Sequence, residues 1–239
     1  MKGDNELKIL AEKLREIFNG IYDKIKDKDL SNKNLDKEVL KALKTLKKNK
    51  VSKKNLEMNF SEPEDNIYKP ESGRTPYDLL CYGKINKKRF KIFINNKLGN
   101  LYSNTRNDVT TYNNLLRLYL GVTEQRLTSK ITIDRDLIYR RISGKEIVSY
   151  GIFVIDKAKR GAKFFLLEEI KDSFYVNPRN TMFQIKYNPL LGKPIDYYSF
   201  CIALIDAICE ALKKNLNATK TEIIVLGKIK EEIIKLKKR

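Results

Sequence analysis

The segment Phe90-Lys91-Ile92-Phe93-Ile94-Asn95-Asn96-Lys97 is apolar until its end, where two amides and an ammonium appear together. Extended backbone sends successive side chains to opposite faces, so Asn95 and Lys97 share one face while Ile92, Ile94 and Asn96 share the other. Upstream, Pro76-Tyr77-Asp78-Leu79-Leu80 opens a second extended run with a carboxylate near its start. In a hairpin whose register brings Asp78 to Asn95, these groups suit hydrolysis of a phosphodiester. Two oxygens, from Asp78 and Asn95, would hold Mg²⁺, a hard cation that takes carboxylate, amide and water oxygens. Such a metal polarises a phosphate and lowers the pKa of a bound water. Lys97, at the same level, would orient that water and offset charge building on phosphorus.

Composition narrows the chemistry further. The 239 residues contain no histidine, which removes Ser-His-Asp hydrolases, histidine-based nucleases and every imidazole metal site. No Gly-rich phosphate loop occurs, which argues against a kinase or ATPase. A formal net charge of +19, with 33% charged residues, costs self-repulsion unless an anionic partner exists, and nucleic acid is the obvious one. The bland alternative is a lysine- and asparagine-rich genome bias. Cys81, Cys201 and Cys209 cannot all pair within the chain and lack zinc-site spacing, which points to a reducing cytoplasm. The first ten residues alternate charged and apolar types, unlike a signal peptide or a membrane span.

The elements that must position these groups read as an α/β chain. Amphipathic spacing predicts helices over about Asp4 to Lys28 and Asp36 to Lys48. Pro63, Pro70, Gly73 and Pro76 mark a loop. Strands are expected over Tyr77 to Tyr82 and Phe90 to Lys97 with a Gly83 to Arg89 turn between them. A helix capped by Asp108 should run to Leu120. Strands follow at about Tyr150 to Asp156, Lys163 to Glu168 and Met182 to Tyr187. Helices close the chain at about Asp196 to Lys213 and Thr221 to Lys237. The order fits a mixed central β-sheet flanked by α-helices. Residues 1–239 are expected to form one domain with helical N-terminal (about 1–60) and C-terminal (about 196–239) parts.

With Asp78 in the first half and Asn95-Asn96-Lys97 in the second, the segment from about Glu71 to Leu120 resembles the restriction-endonuclease-like nucleases called PD-(D/E)xK. In that family the site lies on a hairpin of a central sheet, followed by a helix that packs on it. The resemblance implies a type II restriction endonuclease that cuts double-stranded DNA at a short specific site with Mg²⁺. It also implies a homodimer and raises a companion methyltransferase acting on the same site. Asn95 departs from the pattern, because an acid is usual there. Family members often recruit a further acid from the first helix or the loop before the hairpin, which makes Glu71 the expected extra ligand and Glu62, Glu64, Glu12 and Glu16 further candidates. The rival reading is a non-catalytic DNA-binding protein on the same fold, which the neutral Asn95 favours.

A second set, Asp156, Glu169 and Lys171, spells the family letters better but is followed by Asn177-Pro178-Arg179-Asn180 and another strand where the family has a helix. It ranks below the first. Two loops could read bases: Ser103 to Asp108, with Arg106 and Asn107, and Asn177 to Asn180, with Arg179 and Asn180. Arg can pair with guanine and Asn with adenine in the major groove. The same residues are also ordinary turn chemistry, in which Asn and Asp bond their own backbone.

Overall fold

The computed structural model describes residues 4–46, 55–63, 76–122, 132–171, 174–215 and 220–238. Two helices, α1 (Asp4–Ile25) and α2 (Leu35–Leu46), precede three strands, β1 (Leu56–Ser61), β2 (Leu79–Ile85) and β3 (Lys88–Gly99). Then come β4 (Arg106–Thr111), α3 (Tyr112–Leu120), α4 (Arg135–Ile142), β5 (Glu146–Asp156) and β6 (Ala162–Leu166). A short 3₁₀ turn (Leu167–Glu169) leads to β7 (Tyr175–Val176), β8 (Met182–Lys186), α5 (Tyr197–Lys214) and α6 (Lys220–Lys237). Among the described residues no helix is long and apolar enough to cross a membrane.

Five strands form a mixed sheet in the order β1-β2-β3-β5-β6. The β3–β5 pair is parallel and central, and the other pairs are antiparallel. Such a sheet is covered on both faces, so β5 carries the near-continuous apolar run Tyr150 to Ile155, every residue of it buried. On one face Ile92 and Ile94 of β3 and Phe153 of β5 meet α1 and α2, with Phe18 of α1 against Phe153 at 4.6 Å and stacked on Phe164 at 4.7 Å between ring centroids. On the other face Phe93, Tyr150, Ile152 and Val154 pack among residues of α3, α4, α5 and α6. A separate three-stranded sheet, ordered β4-β8-β7, shares that second core through Val109, Phe183 and Ile185. The expected mixed sheet flanked by helices is therefore the architecture observed.

Several element boundaries differ from expectation for identifiable reasons. The β2–β3 turn is only Asn86-Lys87, both at positive φ (47° and 68°), the backbone that two-residue hairpins require. Gly83 is inside the ladder, where β1 lies so close that a Cβ would come within 1.9 Å of the Glu57 carbonyl oxygen. Residues 108–111, expected to open a helix, instead belong to β4, which pairs with β8. The cap of α3 is Thr111, whose side chain accepts from the Asn114 N–H, and not Asp108. β1, α4 and β7 were not expected at all.

Candidate active site

The hairpin of β2 and β3 brings the two halves of the candidate site together. Its ladder runs from Ile85 opposite Lys88 to Leu79 opposite Ile94. Just beyond the end of that ladder, Asp78 gives its N–H to the Ile94 carbonyl at 2.8 Å, and its Oδ2 accepts the Asn96 N–H at 2.7 Å. Asp78 therefore brackets Asn95 and is held against the end of β3. Asn95 is buried and its Nδ2 donates to two fixed oxygens, the Val109 carbonyl at 3.2 Å and the Tyr150 hydroxyl at 3.0 Å. A carbonyl only accepts, so the amide nitrogen must face Val109 and Oδ1 is the end left for the cleft. Tyr150 spends its own proton on the Pro76 carbonyl at 2.6 Å, which ties the segment before Asp78 to Asn95.

These residues line a cleft of about 970 Å³ with Asp36, Asn96, Lys97, Asp108, Thr110, Thr111, Asn114, Met182 and Tyr187 among its walls. Asp36 arrives from the first turn of α2, where the helix dipole favours a negative charge. Its Oδ1 accepts from Asn96 Nδ2 at 2.9 Å. Burial, with the neighbouring Asp36 charge, pushes the Asp78 carboxyl up to about 6, against the opposing pull of the Asn96 N–H and Lys97. Burial also lowers the Lys97 ammonium from its ordinary value, although Asp78, Asp36 and Asp108 all work the other way. Asp36, Asp78 and Asp108 beside Lys97 leave the described lining of the cleft short of positive charge.

That shortfall bears on whether a divalent ion fits. Among the described residues no three of His, Cys, Asp and Glu gather into a metal cluster. Mg²⁺, however, keeps several waters and is commonly held by one or two carboxylates. Asp78, Asp36 and Asn95 Oδ1 are hard oxygen donors of that kind, and the donor set fits.

One comparison with known proteins decides the family. The chain is 65% identical over 235 residues to the type II restriction enzyme MjaIV of Methanocaldococcus jannaschii, covering 98% of this chain and 95% of that protein. No protein-family model matches the chain. The chain belongs to the type II restriction endonucleases. As such it is a site-specific deoxyribonuclease, and enzymes of this class generally use divalent metal ions. The PD-(D/E)xK resemblance read from the hairpin is consistent with that membership.

Among the described residues, the further acids that line this cleft are Asp36 of α2 and Asp108 of β4. Glu12 and Glu16 are exposed on α1, ion-paired with Lys8 and Lys13, and do not line the cleft. Glu62 is exposed just past β1. Glu71 and Glu64 lie outside the described residues. Asp36 was legible only as the start of a helix, and Tyr150 only as a core aromatic. No local spacing connects either to Asn95.

The second set is not brought together. Asp156 ends β5, and its oxygens accept from the Leu101 N–H at 3.3 Å and from Arg160 Nε at 2.8 Å. Burial would raise its pKa, but these partners outweigh it and hold the carboxyl below its ordinary value. Glu169 lies beyond the far end of the β5–β6 ladder, where Gly151 pairs with Leu166. That ladder end is roughly 17 Å from Asp156 at about 3.4 Å per residue. Glu169 is paired with Arg15 and accepts the Leu166 N–H, and Lys171 is exposed. A strand end and a structural ion pair account for the better-spelled letters.

Of the expected base readers, Arg106 is on a strand, its guanidinium 4.6 Å over the Tyr175 ring. Asn107 is half-buried and donates to the Thr105 carbonyl. Asn180 accepts the Met182 N–H and Asn177 the Arg179 N–H, so both amides are engaged in their own turn. Arg179 is exposed at the tip of that turn.

Proposed function

We propose that this restriction enzyme hydrolyses both strands of DNA at one short sequence with Mg²⁺ held by Asp78, Asp36 and Asn95 Oδ1. The observation that carries the reading is the meeting of Asp78, Asn95, Asp36 and Lys97 on one cleft, with the Asn95 amide nitrogen turned to Val109 and Tyr150. Mg²⁺, when bound, would polarise the scissile phosphate and lower the pKa of an attacking water. Asp78 contributes its free Oδ1, since Oδ2 is engaged by the Asn96 N–H. Asp36 supplies the negative charge that an amide at position 95 lacks. Lys97, on the face of Asn95, orients the water and offsets charge on phosphorus. Residues 1–239 act as one domain.

Cutting both strands of a symmetric site needs two such clefts, so the active form is a homodimer. Its place is the cytoplasm, beside the cell's DNA, with a companion methyltransferase protecting the same sequence. Arg179 at its exposed turn supplies a phosphate or base contact.

The test is incubation with mixed-sequence duplex DNA and Mg²⁺. Discrete fragments that disappear with Lys97→Ala support the nuclease, and no cleavage with any divalent metal sinks it.

A further inference from the structure

Next to the cleft, the small sheet turns one face to solvent. Alternation along β8 buries Phe183 and Ile185 and leaves Met182, Gln184 and Lys186 on the outer side. Across the ladder Arg106 lies opposite Lys186, and Asp108 opposite Gln184, which is in turn opposite Tyr175 of β7. Directly opposed residues share a face. The outer face thus presents Arg106, Asp108, Gln184, Lys186 and Tyr175 together.

A solvated strand face is the ordinary reading of such residues, and three observations go beyond it. The face runs into the cleft, because Asp108, Thr111 and Met182 line the same cavity as Asp78 and Lys97. Its side chains are held in place: Gln184 Nε2 donates to Asp108 Oδ1 at 2.6 Å, and the Arg106 guanidinium stacks on Tyr175. Its charge suits a polyanion, since Arg106 and Lys186 are side by side and Asp108, the acid among these five residues, is engaged by Gln184.

We infer that the β4–β8 face enters the major groove of the DNA to be cut, and that Gln184, aimed by Asp108, reads an adenine there. This rests on the nuclease reading above and names the part of the chain that chooses the sequence. The major groove admits a two-stranded β-ribbon, and a Gln amide pairs with adenine through one acceptor and one donor. With one N–H given to Asp108, Gln184 keeps its Oε1 and its second N–H for that edge. Arg106 and Lys186 flank it and contact phosphate or guanine.

The full chain in Ca²⁺ is used to select bound duplexes from a randomised library, which are then sequenced for wild type, Gln184→Ala and Gln184→Met. Wild type is expected to enrich a motif containing an A·T pair whose preference drops roughly tenfold or more in both variants, while the other positions keep theirs. Gln184→Met preserves bulk, so it reports even where the alanine variant folds poorly. An unchanged motif in the variants overturns the inference. So does an even loss at every position, which would make Gln184 structural, or dependence at a G·C pair. A wild-type chain that enriches no motif overturns it as well. A chain that enriches a Gln184-dependent motif without cutting in Mg²⁺ sinks the nuclease reading alone. One that cuts at a motif indifferent to Gln184 sinks this inference alone.

Discussion

The Tyr150 hydroxyl sits between the Asn95 amide and the Pro76 carbonyl, 3.0 Å from Nδ2 and 2.6 Å from the oxygen. It joins three strands' worth of structure, since Tyr150 is on β5, Asn95 on β3 and Pro76 leads into β2. Replacing it with phenylalanine leaves a buried carbonyl without its donor and frees one side of the amide. The loss is expected to be about 1–3 kcal/mol of stability, the usual penalty for an unsatisfied buried group. Cleavage should then need several-fold more Mg²⁺. Titration of Mg²⁺ against cleavage rate, beside thermal melting, checks both. An unchanged metal requirement would confine Tyr150 to the core.

Restoring an acid at position 95 is a sharper probe. Asn95→Asp places an oxygen where Nδ2 now faces the Val109 carbonyl, so a repulsive contact replaces a hydrogen bond. Without metal the variant should melt lower, by about 1–3 kcal/mol in free energy. Added Mg²⁺ should recover more stability than it gives wild type, because the site gains a charge. A variant as stable as wild type without metal would show that the amide orientation is unimportant.

The strand that carries the candidate site was readable because a buried strand with polar residues at one end leaves a local signature, and β3 has it. Lys97 and Asn95 could be placed on one face from alternation alone. What stayed hidden depends on contacts distant in the chain. Asp108 ahead of an apolar run imitates a helix cap, but Val109, Thr110 and Thr111 are strand-favouring types, and their pairing with β8 some 75 residues away decides the matter. Gly83 looked like a turn residue because glycine usually marks one, whereas here it makes room for β1. Asp36 and Asp78 lie about forty residues apart in the chain, so no spacing rule joins them.

Asp36→Asn separates the two roles assigned to that residue. The amide oxygen can still accept from Asn96 Nδ2, so the local fold should hold. Removing the charge relieves Asp78 and is expected to raise stability without metal. Mg²⁺ binding should weaken at least tenfold at the same time. These effects have opposite signs, and calorimetric Mg²⁺ titration with melting curves reads both. Equal metal affinity in the two proteins would remove Asp36 from the site.

The Asp78 carboxyl predicts how stability varies with pH. Burial, with the Asp36 charge, raises it from 3.8 to about 6 in the folded chain. Between those values the native state holds a proton that the unfolded state has lost, so stability falls as pH rises through this window. The difference amounts to at most about 3 kcal/mol, at 1.36 kcal/mol per unit, and solvent at the cleft mouth reduces it. The metal-free protein should therefore be less stable, by this group's share, at pH 7.5 than at pH 4. Mg²⁺ should stabilise it more at pH 7.5, where the carboxylate is ionised and able to bind. Asp78→Asn should reduce the slope between pH 4 and 6, leaving the share of the buried Glu168 carboxyl, which burial raises to about 7, and should abolish the metal-dependent gain. Melting curves across that range, with and without Mg²⁺, provide the measurement. A slope unchanged in Asp78→Asn would assign it wholly to other groups.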